Sequence, residues 1–179
     1  SVTAPGSRVT SFTYDAAGNK LSQTNALGKT DTFVYDDAGR VISHTDALSR
    51  TVSFGYDAAG NKTSFTDGRG NVTYYGYNAR DLMTSLIYPD STAESWTYTA
   101  RGQVASHTDG RGIVTSSAYD DAGRLTGVSY SGGSVASVTV AYDADNRKTS
   151  QTDGTGTTSY GYDTVGRLTS RNSPQGSVS

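Results

Sequence analysis

The side chains able to do chemistry in this chain are few in kind. Two histidines, His44 and His107, each lie nine residues after a tyrosine, Tyr35 and Tyr98. Acid–base or nucleophilic catalysis would need a carboxylate and a nucleophile converging on each imidazole. The histidines are 63 residues apart, three lengths of a repeat described below, and framework positions are copied along repeats where active sites are not. They therefore read as structural or solvated. Aspartate is densest at Asp36-Asp37, Asp120-Asp121 and Asp143-Ala144-Asp145, which raises calcium. Neither the EF-hand loop nor the glycine-aspartate nonapeptide of calcium β-rolls is present, and aspartates that bond their own backbone in turns account for the pattern. The glycine-rich run Asp67-Gly-Arg-Gly70 lacks the apolar strand and amphipathic helix that flank a phosphate cradle. No metal or cofactor is expected. Aromatic side chains beside Asp, Asn and Arg can bind sugars, and Tyr74, Tyr75 and Trp96 are the candidate glycan contacts. The competing reading makes them part of a sheet's apolar face.

The elements that position these groups come from a repeat. Tyrosine recurs at Tyr14, Tyr35, Tyr56, Tyr77, Tyr98, Tyr119, Tyr142 and Tyr162, in steps of 21 residues except for 23 and 20 in the last two. Asp follows most of them, and glycine closes the motif at Gly18, Gly39, Gly60, Gly102, Gly123 and Gly166, with Asn78, Asp81, Thr99 and Asn146 as departures. A second punctuation sits midway, as in Asn25-Ala-Leu-Gly28, Asp46-Ala-Leu-Ser49 and Asp109-Gly-Arg-Gly112. Aspartate, two residues, then glycine is the signature of a type I turn followed by a left-handed residue. Two turns per unit predict two strands per unit, approximately Asn19–Thr24, Lys29–Tyr35, Arg40–Thr45 and Arg50–Tyr56. The prediction is an all-β fold: a meander of about sixteen antiparallel strands over residues 1–179, a single array of about eight units forming a curled or spiral sheet.

Two residues before the repeat tyrosine stands another large side chain, Phe12, Phe33, Phe54, Tyr75, Trp96, Val140 or Tyr160, with Ser117 the exception. An i, i+2 pair shares a face, so stacking units lines up two aromatic columns. A loop with a glycine bulge would set Tyr14 opposite Lys20, Tyr35 opposite Val41, Tyr119 opposite Leu125 and Tyr162 opposite Leu168. The preceding aromatic would then face Ser22, Ser43, Ser64, Ser85, Ser106 or Ser170. The opposite face would carry Asp36 beside Arg40, Asp120 beside Arg124, Asp143 beside Arg147 and Asp163 beside Arg167. Because 21 is odd, the two turns of a unit cannot have identical register unless one strand is bulged. The divergent unit from Tyr77 to Thr97, with Leu82, Met83, Leu86, Ile87 and Pro89, is read as a local core, a bend or a contact with a neighbour.

Composition sets outer bounds. Of 179 residues, 24 Ser and 26 Thr leave little for a thick core, and only 34% are hydrophobic. Glu occurs once and Lys four times, so helix is disfavoured. A formal charge of −2 gives no field for nucleic acid, and zero Cys excludes a disulfide framework and a thiol nucleophile. No apolar run is long enough for a membrane helix, and Ser1 to Ser7 lack the charged and apolar regions of a signal peptide. The chain enters and leaves in mid-unit, which reads as a fragment of a longer array.

Units such as Tyr35-Asp-Asp-Ala-Gly-Arg-Val-Ile-Ser-His-Thr-Asp46 and Tyr162-Asp-Thr-Val-Gly-Arg-Leu-Thr-Ser170 resemble the YD repeat of the Rhs family. That family includes bacterial Rhs proteins, WapA-type wall proteins, Tc toxin C subunits and animal teneurins. The resemblance implies a long spiral β-sheet that in Rhs and Tc proteins forms a hollow shell around a C-terminal toxin, and in teneurins an adhesion scaffold; YD repeats are also linked to carbohydrate binding. Pro5, Pro89 and Pro174 are the only prolines, and none sits in the cleavage signature of toxin-bearing members. The expectation is a non-catalytic wall segment of a secreted or cell-surface bacterial protein. Its partners would be neighbouring repeats or identical copies and an enclosed toxin domain, with no nucleic acid and no membrane insertion. The alternatives are a glycan-binding module using aromatic ladders and a self-assembling extracellular filament subunit.

Overall fold

The structure, a computed structural model, describes residues 2–4, 8–132 and 135–178; Pro5 and most of the Ser1 to Ser7 stretch lie outside the described residues. The chain divides into two units, Ser1–Thr92 and Ala93–Ser179. The first holds β1 (Val2–Ala4), β2 (Arg8–Tyr14), β3 (Lys20–Thr24), β4 (Thr30–Tyr35), β5 (Val41–Thr45), β6 (Thr51–Tyr56), β7 (Lys62–Thr66), β8 (Val72–Tyr77) and β9 (Met83–Ile87). The second holds β10 (Ala93–Tyr98), β11 (Val104–Thr108), β12 (Val114–Tyr119), β13 (Leu125–Tyr130), β14 (Val138–Tyr142), β15 (Lys148–Asp153), β16 (Gly156–Tyr162), β17 (Leu168–Ser173) and β18 (Gly176–Val178). Within each unit every strand pairs antiparallel with the next. No described residue is helical, and the eighteen strands exceed the expected sixteen by the short outer strands β1 and β18.

The bulge required by the odd repeat falls at the same place in every unit. Tyr14 pairs with Lys20 while Thr13 pairs with Ser22, so Leu21 is the extra residue. The same shift occurs at Tyr35, Tyr56, Tyr77, Tyr98, Tyr119, Tyr142 and Tyr162. The expected tyrosine partners Lys20, Val41, Leu125 and Leu168 are all observed. The expected aromatic–serine pairing is not. The bulge moves each serine to face the residue directly before the tyrosine: Val34 for Ser43, Gly55 for Ser64, Gly76 for Ser85, Thr97 for Ser106 and Gly161 for Ser170. The aromatic two places back instead meets a larger partner, Gln23 for Phe12, His44 for Phe33, Phe65 for Phe54, Leu86 for Tyr75, His107 for Trp96 and Arg171 for Tyr160.

Register also drifts along each unit. Thr13, Ser22 and Thr32 share one row, as do Thr97, Ser106 and Ser116. Crossing two strands therefore advances the chain by 19 residues where the repeat advances 21, and the row arrives two residues short of the equivalent position. No described side chain is buried, so neither unit has a conventional core, and the hydrophobic residues of β9 form no local core either. The hairpin of β8 and β9 has the same bulged geometry as its neighbours.

Candidate functional site

The densest polar chemistry lies in the turns. Asp36 Oδ1 accepts the backbone N–H groups of Ala38 and Arg40, while its Oδ2 accepts Nε of Arg40 at 2.7 Å. The same arrangement recurs at Asp46, Asp143 and Asp163 with Arg50, Arg147 and Arg167. At Asp15, Asp57 and Asp67 an asparagine amide, from Asn19, Asn61 or Asn71, replaces the arginine. These bonds favour the carboxylate over the carboxylic acid. The carboxyls of Asp36, Asp120 and Asp143 are held below the usual range first by the arginine's backbone N–H, and those of Asp15, Asp57 and Asp67 first by the asparagine amide. Asp46 is lowered to about 2, with the Arg50 side chain as the main cause. No grouping of His, Cys, Asp or Glu among the described residues is arranged to hold a metal ion. Gly18, Gly39, Gly60, Gly102, Gly123 and Gly166 all have φ between 75° and 97°. At the equivalent left-handed positions of other turns stand Ser49, Asp81, Ser91 and Asn146.

The arginines do more than close their own turns. Arg40 places its guanidinium over the ring of Tyr56, 4.7 Å from the centroid, and donates from Nη1 to the carbonyl of Asp57 at 3.1 Å. Arg124 does the same with Tyr142 and Asp143, and Arg147 with Tyr162 and Asp163. The Asp–Arg pairs of Arg40, Arg124 and Arg147 therefore do not stay on the face opposite the tyrosines; these three arginines reach forward onto the next repeat's ring. The tyrosines reach back. Tyr35, Tyr119, Tyr142 and Tyr162 donate their hydroxyls to the carbonyls of Lys20, Val104, Leu125 and Lys148 in the preceding repeat. The spacing of Tyr14, Tyr35, Tyr56, Tyr77, Tyr98, Tyr119, Tyr142 and Tyr162 gives no sign of these bonds, since a period alone does not reveal the direction of a side chain.

The aromatic column is also cationic. Lys20 Nζ lies 4.6 Å from the Phe33 centroid, Lys62 4.5 Å from Tyr75 and Lys148 4.6 Å from Tyr160. The histidines stack on their cross-strand aromatics, His44 on Phe33 and His107 on Trp96. His107 Nε2 is 2.7 Å from Glu94 Oε2, whereas His44 Nε2 is shielded from solvent with no partner. Asp31 stands at Glu94's position, two places before the aromatic, and its carboxylate accepts the N–H of Ala47. Of the candidate glycan residues, Tyr74 and Tyr75 face opposite ways. Tyr75 lies on the aromatic face under Lys62, whereas Tyr74, one residue earlier, projects to the other face, 53% exposed and paired with Ser64 and Ile87. Trp96 belongs to the second unit.

This geometry of hairpin, bulge and forward-reaching arginine repeats along the chain, and a family model described as RHS Repeat matches residues 1–30, 35–72, 98–135 and 142–178. The chain belongs to the RHS repeat family. Its RHS repeats are similar in fold to a crystal structure of TcdB2–TccC3, at 18% identity and a TM-score of 0.64, over 94% of this chain and 11% of that one. A structure of the Photorhabdus luminescens Tc holotoxin pore matches at 16% identity and a TM-score of 0.55, over 90% of this chain and 12% of that one. A TcdB2–TccC3–Cdc42 crystal structure matches at 15% identity and a TM-score of 0.54, over 90% and 13%. The chain thus spans about a tenth of the length of these solved chains. No curated protein matches it.

Proposed function

We propose that these RHS repeats form one continuous, non-catalytic array within a longer exported protein, serving as a wall segment of a shell that encloses a toxin domain. One observation carries the reading: among the described residues none is buried, and two links recur between repeats, a tyrosine hydroxyl reaching backward at Tyr35, Tyr119, Tyr142 and Tyr162 and an arginine reaching forward at Arg40, Arg124 and Arg147. A wall needs uniform joints rather than a site, and the polar clusters here are copies of one turn. The fold shared with TcdB2–TccC3 supports the shell geometry. The repeat-defining tyrosines and glycines are framework groups on this reading.

Electron microscopy of the full-length parent protein tests the proposal. A hollow particle whose wall is one sheet thick, with a C-terminal region resistant to protease until the wall is opened, is the expected result. A solid globular domain, or a C-terminal region cleaved as fast as a free polypeptide, would overturn it.

A further inference from the structure

The turn network contains its own template for a ligand. In the repeats that carry arginine, the guanidinium sits in a fixed frame: Nε on the turn aspartate, Nη1 on the next turn's carbonyl and the plane over the next tyrosine. In the first repeat this position is Asn19. Its Nδ2 bonds Asp15 Oδ2 at 2.9 Å, as Nε of Arg40 bonds Asp36. That bond fixes the amide orientation, because a carboxylate can only accept. Asn19 Oδ1 then lies 3.6 Å from the point where a Cβ on Gly39 would stand, and Arg40 Nη1 lies 3.7 Å from the same point on Gly60. An acceptor therefore occupies the place of a donor, and the guanidinium plane that covers Tyr56 has no counterpart from Asn19 over Tyr35.

An open cavity of about 630 Å³ lies here, lined by Asp15, Asn19, Leu21, Tyr35, Asp36 and Asp37 among others. Asp36 is neutralised by Arg40, but Asp37 pairs with no cation among the described residues. The other asparagine at this position does not leave the same opening: Asn61 Nδ2 also donates to Asp81 Oδ1 at 2.7 Å, so the next turn closes on it. At Asn19 the next turn offers Gly39, which has no side chain to do so.

We propose that the cavity between the Asp15–Asn19 and Asp36–Arg40 turns binds a guanidinium group, presented by an arginine side chain of a partner polypeptide. The amide oxygen of Asn19 and the carbonyl of Asp36 accept its N–H groups, Tyr35 offers its ring and Asp37 supplies the opposing charge. A planar fork of donors suits this frame, whereas an ammonium does not reproduce the spread of acceptors or the stacking.

The test is titration of the ¹⁵N-labelled chain with N-acetyl-arginine amide, methylguanidinium and N-acetyl-lysine amide, followed by amide chemical shifts. The arginine amide and methylguanidinium should shift Asn19 and Tyr35 to Gly39 saturably, with the lysine amide at least about threefold weaker. Asp37→Asn should weaken arginine amide binding about two- to fivefold. Asn19→Arg should abolish it, because the protein's own guanidinium then fills the frame; an undiminished melting temperature of this variant separates filling from misfolding. If arginine amide binds and methylguanidinium does not, the guanidinium is not the recognised group and the proposal fails. It fails equally if lysine amide binds as well as arginine amide, if the response survives in folded Asn19→Arg, or if no saturable shift appears in the tens of millimolar.

Discussion

Exchanging the residues at one turn position between adjacent repeats isolates the backbone contribution to this fold. Ser49 and Gly70 close consecutive turns of the same kind, Asp46-Ala-Leu-Ser49 and Asp67-Gly-Arg-Gly70, with φ of 63° and 86°. Each donates its N–H to the carbonyl of the turn aspartate. A Cβ added at Gly70 would meet nothing within 4 Å, so any effect of substitution there comes from the dihedral and not from packing. A side chain in the left-handed region costs about 1–2 kcal/mol, and glycine's greater freedom in the unfolded chain returns about 0.5–1 kcal/mol of that difference. Ser49→Gly should therefore stabilise by about 0.5–1 kcal/mol, and Gly70→Ser should destabilise by a similar amount. Both lie in the first unit, and a cooperative block of about 90 residues has an unfolding entropy near ~0.2 kcal/mol/K, so each change moves the melting temperature by about 3–5 °C in opposite directions. Calorimetry with a urea titration gives both numbers, and the m-value should stay constant because the exposed surface is the same. The double exchange should return close to the parent. A Ser49→Gly variant that melts lower, or a Gly70→Ser variant that melts unchanged, would refute the assignment of these positions as strained turn closures.

Acid should loosen the array in a defined window. The turn aspartates titrate lower when folded, so the stability they contribute is complete above the unfolded aspartate range near ~pH 4 and is lost as pH falls through the folded values, ending near about 2 for Asp46. Circular dichroism from pH 5 to 2 should show this loss, with a shallower slope in Asp46→Asn; stability that rises on acidification would contradict the turn hydrogen bonds. Asp31→Glu should give the solvent-shielded His44 Nε2 the carboxylate partner that Glu94 gives His107, and so raise the melting temperature. Calorimetry at neutral pH reads this directly, and an unchanged or lowered melting temperature in the variant speaks against it. Gly55→Thr should stabilise by about 1 kcal/mol through strand preference and a hydroxyl pair with Ser64 like those of Thr13–Ser22 and Thr97–Ser106, both at 2.6 Å. The added Cβ stands 2.4 Å from Ser64 Oγ in its present rotamer, so Ser64 must turn as its counterparts have, and a loss of stability would show that it cannot.

The repeat, the two strands per unit and the tyrosine partners were legible because each is a matter of spacing: the period, the glycine closures and a bulge demanded by an odd number. The serine partners were not, because the parity argument requires a bulge without locating its extra residue. Leu21, Thr63 and Thr84 carry no signal that marks them as that residue, yet they move every serine onto its neighbour. A sharper signal did exist in Gly55, Gly76 and Gly161. Glycine one place before the tyrosine, within a strand, marks a close cross-strand approach, and a Cβ at each would stand 2.3–2.5 Å from a serine Oγ. Tyr74 and Tyr75 could have been separated by alternation alone, since adjacent strand residues face opposite ways. The forward reach of Arg40 depends on where the next turn lies in space, which one unit of sequence does not contain.

The same register explains how a chain with so few large apolar residues makes an ordered single-layer sheet. Each repeat displaces the row by two residues, about 6.8 Å along the strand, over two strand spacings of about 9.6 Å. Equivalent side chains therefore run on a diagonal about 35° from the strand normal, within the range of strand tilts at which sheets close or wind. Along that diagonal, and not straight across the sheet, the tyrosine of one repeat meets the arginine of the last and the carbonyl beyond it. The stagger thus has two effects from one cause. It brings a long side chain from one turn over the ring of the next, so that joints form without burial, and it sets the pitch of any larger array built from the same unit. Curvature of such a sheet would be a property of the 21-residue unit and its bulge, carried by every copy, and the apolar residues need only line a stripe rather than fill a volume.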